Sequence, residues 1–361
     1  MAERTDNEYM RRALALARRG WGQTSPNPMV GAVVVRDGVV VGEGYHVRYG
    51  LDHAETVALR EAGERAIGAT VYVTLEPCTH FGQTPPCVDS LISAGVKRVV
   101  VAVRDPNPVA GGGIEKLRAA GIEVAVGVES DATSELVAPF LHSFRSARPW
   151  VTLKLAVSLD AALADATGRS KWITGPVARR AAHRLRAGHD AVGIGIGTAL
   201  ADDPMLNVRG VRKPRVAPMR IIFDNQARLP MDSALVRTAS MIRTLVVAKE
   251  PATDSVKALE AGGVGVLIAA SLEMALRGLR ERGVLSLMVE GGARLAGAFL
   301  EAREFVDRLI IFQAPVILGA GAKNAFQYVS GGRVESLSRM KVLERRALEE
   351  DMMTVYAPLT E

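Results

Sequence analysis

The chain has 361 residues, of which 48% are hydrophobic and 23% are charged. This length suffices for about two domains with cores of their own, and the composition excludes a disordered chain. The net charge of +6, from 45 basic and 39 acidic residues, is compatible with nucleic acid or phosphorylated metabolites as ligands. Aromatic residues make up only 5%, too few for a stacking platform for single-stranded bases, and this favours phosphorylated small molecules over nucleic acid.

The amino-terminal segment MAERTDNEYMRRALALARRG alternates charged and apolar residues at helical spacing. It lacks the apolar stretch and the cleavage site of a secretory signal. No apolar run in the chain approaches the ~18 residues of a membrane span. Both cysteines lie in one short segment, which suits metal binding in a reducing compartment better than a disulfide. We therefore expect a cytoplasmic protein without a membrane partner, and a homo-oligomer is compatible with the sequence.

The first part of the chain predicts a β-hairpin followed by alternating helices and strands. Residues 7–19 have the periodicity of an amphipathic helix, and two β-branched runs flank Asp37-Gly38, a dipeptide typical of hairpin turns. A helical pattern runs from His53 to about Ala66, and a buried strand at 71–75 leads to Pro77-Cys78. Helix and strand patterns then alternate up to the segment IEVAVG. This order predicts a layered α/β sandwich.

A short polar stretch without periodicity, SFRSARP, separates two regions of the chain. New strand patterns begin with VTLKLAVSLDA and recur as far as RLIIF, with helical stretches between several of them. We place a domain boundary near residue 147, which gives an amino-terminal domain of residues 1–146 and a carboxy-terminal domain of residues 147–361.

The most specific feature of the first domain is the set His53, Glu55, Cys78 and Cys87. One imidazole and two thiolates suffice as the protein ligands of a catalytic zinc, which keeps its fourth position open. Zinc lowers the pKa of bound water to about 7, so that a nucleophile exists at neutral pH. Nucleobase deaminases use one His and two Cys ligands, with a Glu that is not a ligand as the proton shuttle. We therefore predict zinc on His53, Cys78 and Cys87, with Glu55 as the catalytic acid and base.

The spacing of the two cysteines leaves an alternative open. The generic signature has two residues between them, whereas eight residues, Thr79 to Pro86, intervene here. A structural zinc site is the alternative, and it would need a fourth ligand, for which His80 is a candidate. The combination of HAE with PC after a strand favours the catalytic interpretation.

Four segments of the second domain carry candidate binding residues: KLAVSLD, GRSKWITG, GIGTALADDPMLNVR and MVEGGARLAGAF. Gly193, Gly195 and Gly197 do not form the fingerprint of a dinucleotide-binding fold. Gly291-Gly292 follows an apolar strand and opens a helix, whose N–H groups suit a pyrophosphate. Taken singly, each glycine is equally compatible with an ordinary tight turn.

Both halves of the chain resemble one family. SPNPMVGAVVV, HAE and EPCTHFGQTPPC are similar to segments of the riboflavin-biosynthesis deaminases of the cytidine deaminase superfamily, in which the long cysteine spacing is the rule. The four later segments, in order, resemble the reductase domain of the same bifunctional enzymes. The resemblance covers nearly the whole chain. It implies a cytidine-deaminase-like three-layer α/β/α domain and a dihydrofolate-reductase-like α/β domain.

The resemblance also implies ligands for particular residues. Asn27 in SPNP would contact the pyrimidine. The residues that would bind NADPH are Ala156, Trp172, Thr198, Asp202, Asn225, Gly292, Ala293, Arg294, Leu295, Ala296, Gly297 and Ala298. The residues that would bind the ribosyl phosphate substrate are Ser170, Arg186, Leu206, Arg209 and Glu290. The two arginines suit a phosphate because they form charge-assisted hydrogen bonds with it.

Some positions depart from the family or have two interpretations. Family members often carry a basic residue where this chain has Gln83. If that basic residue binds the substrate phosphate in those proteins, this chain must bind the phosphate in another way. They commonly have glycine where this chain has Ala161, and because alanine tolerates positive φ poorly we expect a different turn. Lys154 is compatible with the reductase site and with a solvent-facing strand position. Trp172 and Arg209 are also compatible with core packing and a solvated surface charge, respectively.

The prediction is therefore a bifunctional enzyme of riboflavin biosynthesis. Its first activity is zinc-dependent hydrolytic deamination of a diaminopyrimidinone ribosyl phosphate. Its second activity is NADPH-dependent reduction of the ribosyl group of the aminouracil product. Two other classes of protein fit the zinc set alone: a deaminase that edits nucleic acid, and a non-enzymatic scaffold stabilised by zinc. Both leave the ordered segments of the second half unexplained.

Overall fold

The computed structural model describes residues 5–171, 173–333 and 339–358. The chain forms two compact units, Met1–Ser146 and Ala147–Glu361. Each unit is an α/β structure with hydrophobic cores of its own. Within the described ranges, no helix is both long enough and apolar enough to cross a membrane.

The first unit contains one five-stranded sheet. Its strands are β1 (Gly31–Arg36), β2 (Val39–Tyr45), β3 (Thr70–Leu75), β4 (Arg98–Val103) and β5 (Glu123–Val126). Its helices are α1 (Asp6–Ala17), α2 (Ala54–Ala62), α3 (Cys87–Ser93), α4 (Gly113–Ala119), α5 (Ser130–Leu136) and α6 (Ala138–Ser143). The strand order is β2-β1-β3-β4-β5; β1 pairs antiparallel with β2 and β3, and the other pairs are parallel.

The sheet is the middle of three layers. The predicted hairpin between β1 and β2 is confirmed, and its turn residues Asp37 and Gly38 have φ values of 50° and 74°, as a two-residue turn requires. Successive strand residues face opposite sides. Val33 therefore packs with α1 on one face, while Val34 packs with α2, α3 and α4 on the other. This arrangement confirms the expected α/β/α sandwich.

Helix α2 lies directly on β2 because glycine residues of the strand face it. A Cβ atom at Gly44 would lie 2.2 Å from the carbonyl oxygen of Ala54, and one at Gly42 would lie 2.2 Å from that of Ala58. Only glycine allows so close an approach of two backbones. The contact at Gly44 fixes the amino-terminal end of α2, immediately after His53.

An added methyl group at Gly44 must displace the start of α2. We expect Gly44→Ala to lower the free energy of unfolding by about 1–3 kcal/mol, the usual cost of overpacking. Val39→Ala is the matched control, because Val39 lies on the same strand and is 62% exposed. Denaturant unfolding would measure both variants. Equal unfolding midpoints for the two would contradict the close approach.

The second unit contains a nine-stranded sheet and a small two-stranded one. Its strands are β6 (Trp150–Val157), β7 (Ala162–Ala164), β8 (Ala191–Gly195), β9 (Met219–Phe223), β10 (Thr244–Ala248), β11 (Gly265–Ile268), β12 (Ser286–Glu290), β13 (Arg308–Gln313), β14 (Lys323–Asn324), β15 (Met340–Leu348) and β16 (Asp351–Pro358). Its helices are α7 (Pro176–Ala187), α8 (Ile196–Asp202), α9 (Ala234–Arg237), α10 (Thr253–Ala261), α11 (Leu272–Glu281) and α12 (Ala293–Glu301).

The strand order of the large sheet is β11-β10-β9-β8-β12-β6-β13-β16-β15. The pairs from β11 to β13 are parallel, and β16 pairs antiparallel with β13 and β15. Helices cover both faces: Leu276 of α11 and Phe299 of α12 lie in one core, and Leu235 of α9 and Leu259 of α10 lie in another. Since parallel strands end at one edge, the segments after β6, β8, β9, β10 and β12 lie along that edge, where such sheets bind ligands.

The turn after β6 corrects one expectation. Ala161 has φ 58°, so the chain keeps a left-handed turn there although the residue is alanine. Hydrogen bonds hold the turn: Ala161 N–H donates to the Ser158 carbonyl over 3.1 Å, and Ala325 N–H donates to the Ala161 carbonyl over 2.9 Å. These bonds offset the cost of about 1–2 kcal/mol for a left-handed residue with a side chain.

Candidate active sites

Three elements of the first unit bring the predicted metal ligands together. His53 immediately precedes α2, Cys78 follows β3, and Cys87 is the first residue of α3. His53 Nδ1 lies 3.2 Å from Cys87 Sγ and 3.6 Å from Cys78 Sγ, and all three ligand atoms lie within 4.8 Å of one another. Tetrahedral zinc, with bonds of about 2.0–2.3 Å, places its ligand atoms roughly 3.5 Å apart. The three side chains therefore fit zinc.

The cluster also stabilises a thiolate. The pKa of Cys78 is lowered to about 4, chiefly by a hydrogen bond from the Cys87 thiol, and His53 and the Cys87 backbone N–H, 3.4 Å from Cys78 Sγ, contribute to this value. The same thiol contact and burial raise the pKa of Cys87. Because a metal binds the thiolate form of cysteine, the site is partly prepared for zinc at neutral pH.

Glu55 lies in the first turn of α2, beside the cluster but outside its ligand set. Glu55 is buried, with only 3% of the residue exposed. Burial raises its pKa to about 7, against an opposing effect of the charge on His53. A carboxyl group that titrates near neutrality can both accept and donate a proton during one reaction.

His80 does not complete a four-ligand site. In the part of the chain that the structure describes, the potential metal group consists of His53, Cys78 and Cys87 alone. His80 instead lines the neighbouring cavity, and its Nδ1 is buried without a hydrogen-bond partner among the described residues. Three protein ligands next to a cavity are the pattern of a catalytic zinc rather than a structural one.

A cavity of about 280 Å³ opens at the cluster, and Asn27, His53, Glu55 and Cys78 line it. Asn27 Nδ2 lies 3.3 Å from Nε2 of His46, whose Nδ1 lies 3.1 Å from the carbonyl oxygen of Asp52. His46 therefore fixes the Asn27 amide beside the ligands. The sequence interpretation missed His46. A histidine directly after a strand, in a chain with only six, was the available signal.

Two carboxyl groups form another part of the cavity wall. Glu76 is buried and accepts the backbone N–H groups of Asp105 and Ile114, each over 3.1 Å, which fixes the segment after β4. Burial raises the pKa of Asp105 to about 6. Neither residue was predicted, because their contacts join segments that are far apart in the chain.

Gln83 lies in the wall of the same cavity. Its side-chain amide donates to the Tyr49 hydroxyl over 3.4 Å, and its Oε1 would lie 2.9 Å from a Cβ atom at Gly50. The chain therefore places a neutral side chain where the family often has a basic one.

A second cavity, of about 300 Å³, lies in the second unit at the carboxyl edge of the sheet. The predicted cofactor and substrate residues that line it are Ala156, Ser170, Arg186, Thr198, Asp202, Arg209, Glu290 and Gly292. They come from β6 and β12, from α7 and the segment before it, from α8 and the segment after it, and from the residue that precedes α12. The structure thus brings together residues from all four candidate sequence segments, and Arg186 of α7 joins them.

Glu290, the last residue of β12, forms ion pairs with two basic side chains of this cavity. Arg186 forms two hydrogen bonds with its carboxylate, one of them 2.9 Å long from Nη2 to Oε2, and Lys154 Nζ lies 3.7 Å from the same Oε2. Burial raises the pKa of Glu290, but the charges of Arg186 and Lys154 outweigh burial and bring the pKa to about 2. Glu290 is therefore ionised at any physiological pH.

Lys154 belongs to the cavity, which decides between the two interpretations of its sequence position. Its side chain is only 15% exposed, and burial lowers its pKa although Glu290 opposes this. The available signal was the alternation of β6, since Lys154 and the predicted cofactor residue Ala156 lie on one face of the strand.

Helix α7 supplies a basic face to the cavity. Arg179, His183 and Arg186 follow one another at spacings of four and three residues, so they lie on one side of the helix. Burial and the charges of Arg186 and Arg209 lower the pKa of His183 to about 4, so this imidazole is neutral at physiological pH. Two arginines beside a neutral imidazole provide charge and hydrogen bonds for a phosphorylated ligand.

Several predicted residues lie outside the cavity wall. Leu206 is buried with φ 48°, and the carbonyl group of its neighbour Asn207 accepts a hydrogen bond of 3.0 Å from Arg186. Asn225 is exposed just after β9. Trp172 lies outside the described residues.

The predicted turn at 292–298 forms the start of α12, with Gly292 as its cap. The N–H groups of Ala293, Arg294 and Leu295 belong to the first turn, which leaves them available to a phosphate. Ala296 is buried in the core and Gly297 packs against Tyr328, whereas Ala298 is exposed. Ala293, Arg294 and Leu295 are therefore better placed for direct contact with a cofactor than Ala296, Gly297 and Ala298.

Comparisons with known proteins identify the family. Residues 149–354 match the family described as the RibD C-terminal domain, and residues 3–103 match the cytidine and deoxycytidylate deaminase zinc-binding region. The riboflavin biosynthesis protein RibD of Aquifex aeolicus is 47% identical over 89% of this chain and 90% of its own length. That of Actinobacillus pleuropneumoniae is 39% identical over 99% of this chain and 96% of its own. The chain belongs to the RibD family.

Solved RibD structures share the fold of the whole chain. Acinetobacter baumannii RibD superposes with a TM-score of 0.87 at 40% identity, over 98% of this chain and 99% of the other. A Thermotoga maritima diaminohydroxyphosphoribosylaminopyrimidine deaminase/5-amino-6-(5-phosphoribosylamino)uracil reductase gives 0.85 at 36% identity, with the same coverage. The predicted cytidine-deaminase-like and dihydrofolate-reductase-like folds are thus confirmed. So is the predicted function: the chain is a bifunctional deaminase and reductase of riboflavin biosynthesis, with a zinc-binding deaminase domain and an NADPH-dependent reductase domain.

Proposed function

We propose that residues 1–146 deaminate a diaminopyrimidinone ribosyl phosphate and that residues 147–361 reduce the ribosyl group of the aminouracil that results. The name of the Thermotoga maritima relative describes these two reactions for that protein. The observation that supports the proposal is that each unit has a cavity whose reactive side chains suit one of the two reactions. The first combines a zinc ligand set with a buried carboxyl group, and the second combines Glu290, Lys154 and Arg186.

In the deaminase site, His53, Cys78 and Cys87 would hold zinc. Bound zinc supplies a water nucleophile whose pKa lies near 7. Glu55, with a pKa near neutrality, takes a proton from the attacking water and returns it to the amino group that leaves as ammonia. Asn27, oriented by His46, would hydrogen-bond the pyrimidine ring.

In the reductase site, bound NADPH would supply the hydride that reduces the anomeric carbon of the sugar, in its ring-opened imine form. The imine nitrogen must then take up a proton. Lys154 is a buried cation beside the anionic Glu290 and can donate that proton from Nζ. Arg186 and Arg209, with Ser170, would bind the phosphate of the substrate.

The deaminase substrate also carries a phosphate, and among the described residues that line the first cavity none is a lysine or an arginine. We propose that the Gln83 amide and the Tyr49 hydroxyl at the cavity wall hydrogen-bond this phosphate in place of a basic side chain. Neutral donors bind a phosphate more weakly than charged ones. A higher KM for deamination than in relatives with a basic residue would follow.

Phosphorylated small molecules are the substrates of this family, and we propose that nucleic acid and membranes are not partners. A cytoplasmic location is supported by the two free thiols, since a reducing compartment keeps them in the form that binds zinc. A homo-oligomer remains a prediction from the sequence, and analytical sedimentation would test it.

Incubation with the diaminopyrimidinone ribosyl phosphate and NADPH tests both reactions separately. We expect ammonia release and loss of NADPH absorbance. Pretreatment with a zinc chelator should abolish ammonia release, whereas reduction of supplied aminouracil substrate should continue, because the two cavities lie in different units. Loss of both reactions on chelation in a folded protein would contradict separate sites. Salt-sensitive nucleic-acid binding without NADPH affinity would favour an editing deaminase instead.

A further inference from the structure

We infer that Lys249 binds the 2′-phosphate of NADPH and thereby makes the reductase selective for NADPH over NADH. The inference rests on the proposed function and on the contacts of Gly292 and Asn225 with the cofactor that the family resemblance implies. It adds a residue that no family pattern supplied, and it assigns that residue to one chemical group of the cofactor.

The edge of the sheet arranges the relevant segments in a row. β12, β8, β9 and β10 are consecutive neighbours, and all four are parallel. Gly195 of β8 is paired with Phe223 of β9, and Phe223 is paired with Val247 of β10. Asn225 lies two residues after Phe223, and Lys249 lies two residues after its partner Val247. Asn225 and Lys249 therefore lie side by side at the carboxyl edge of the sheet.

The distance along this row matches one adenosine. A Cβ atom at Gly292 would lie 3.4 Å from Oγ1 of Thr198, so the predicted pyrophosphate position lies between β12 and β8. Two further strand spacings, about 10 Å, reach the ends of β9 and β10. A cofactor that places its pyrophosphate at α12 and extends its adenosine along the edge therefore brings its 2′-phosphate to Asn225 and Lys249.

Hydrogen bonds hold Lys249 beside Asn225. The carbonyl oxygen of Asn225 accepts the N–H groups of Lys249 and Glu250, over 3.0 Å and 2.9 Å. The turn itself is rigid, because the fully buried carboxylate of Asp224 accepts the backbone N–H and the Nε–H of Arg228. Ala227 within this turn has φ 53°, a conformation that a non-glycine residue adopts only where its surroundings impose it.

The charges at this edge single out Lys249 from its neighbours. Arg228 lies in the same turn as Asn225, but its guanidinium is paired with Asp224. Among the described residues, the ammonium group of Lys249 forms an ion pair with the carboxylate of Glu250, at 3.8 Å, and both side chains are largely exposed. An exposed pair of this kind contributes little, so a phosphate dianion can displace Glu250.

Binding of adenosine 2′,5′-bisphosphate and of AMP, measured by calorimetry, separates the phosphate contact from catalysis. We expect Lys249→Met to raise the Kd for the bisphosphate about tenfold, the worth of one charge-assisted hydrogen bond, and to leave the Kd for AMP unchanged. Glu250→Gln should lower the bisphosphate Kd, because it removes a competing carboxylate. Lys257→Met, at an exposed position of α10, is the matched control and should change neither value.

The same variants are then compared in reduction with NADPH and with NADH. We expect Lys249→Met to lower kcat/KM about tenfold for NADPH alone. An unchanged bisphosphate Kd in Lys249→Met would overturn the inference, as would equal losses for the bisphosphate and AMP. If the wild-type protein fails to reduce the substrate with NADPH and also with NADH, that result would instead refute the proposed function, together with this inference.

Discussion

Glu55→Gln is expected to remove deamination and to leave reduction intact. Glutamine has nearly the same shape as glutamate but cannot take the proton of the attacking water. We expect the deaminase kcat to fall by about a thousandfold, within the range of a general acid–base contribution. Ammonia release under saturating substrate measures this loss. The reductase rate with supplied aminouracil substrate should equal that of the wild type, since Glu55 lies in the other unit.

Two controls separate proton transfer from loss of the metal. Zinc content, measured by atomic absorption, should stay at one ion per chain in Glu55→Gln, because Glu55 is outside the ligand set. Cys87→Ser, in contrast, removes a thiolate ligand and should lower both zinc content and deamination. Deamination that persists in a zinc-loaded Glu55→Gln protein would show that another group moves the proton. Loss of reduction as well, in a folded protein, would refute two independent sites.

The deaminase ligands were predictable because local segments carry them. His53 and Glu55 lie at the start of one helix, and the position of Cys78 after a strand is visible in the apolar run that precedes it. A hairpin dipeptide fixes β1 against β2, and the remaining helix and strand alternation fixes the layers. Such features depend on neighbours in sequence, so a pattern can indicate them.

The partners of the site residues were not predictable in the same way. His46 meets Asn27 across nineteen residues of chain, and Arg186 meets Glu290 across more than one hundred. These contacts depend on the register and order of strands, which the pattern of apolar residues does not determine. Ala161 shows the converse limit. Its intrinsic preference argued against the turn, and a hydrogen bond within the turn to Ser158 and another from the distant Ala325 overrode that preference.

Lys154→Met is expected to have the largest effect on reduction. It removes the cation nearest to Glu290 other than Arg186, and with it the proposed proton donor. We expect the reductase kcat to fall by about a hundredfold, while the Kd for NADPH and the rate of deamination stay unchanged. Single-turnover reduction and a separate NADPH titration measure the two quantities. A raised NADPH Kd with an unchanged kcat would instead make Lys154 a cofactor-binding residue.

Lys154→Arg distinguishes proton donation from a purely structural charge. Burial lowers the pKa of Lys154 below its ordinary value, so the protonated donor of the wild type is lost as pH rises through that lowered pKa. Arginine stays protonated throughout, because its pKa exceeds about 12. If Lys154 donates the proton, the alkaline decline in kcat should disappear in Lys154→Arg, and the maximal rate should fall because arginine releases a proton less readily. If the positive charge of Lys154 serves only to pair with Glu290, Lys154→Arg should retain the reduction rate that Lys154→Met loses. The distance of 3.7 Å between Lys154 Nζ and Glu290 favours donation, because a close ion pair would hold the ammonium group more tightly than this contact does.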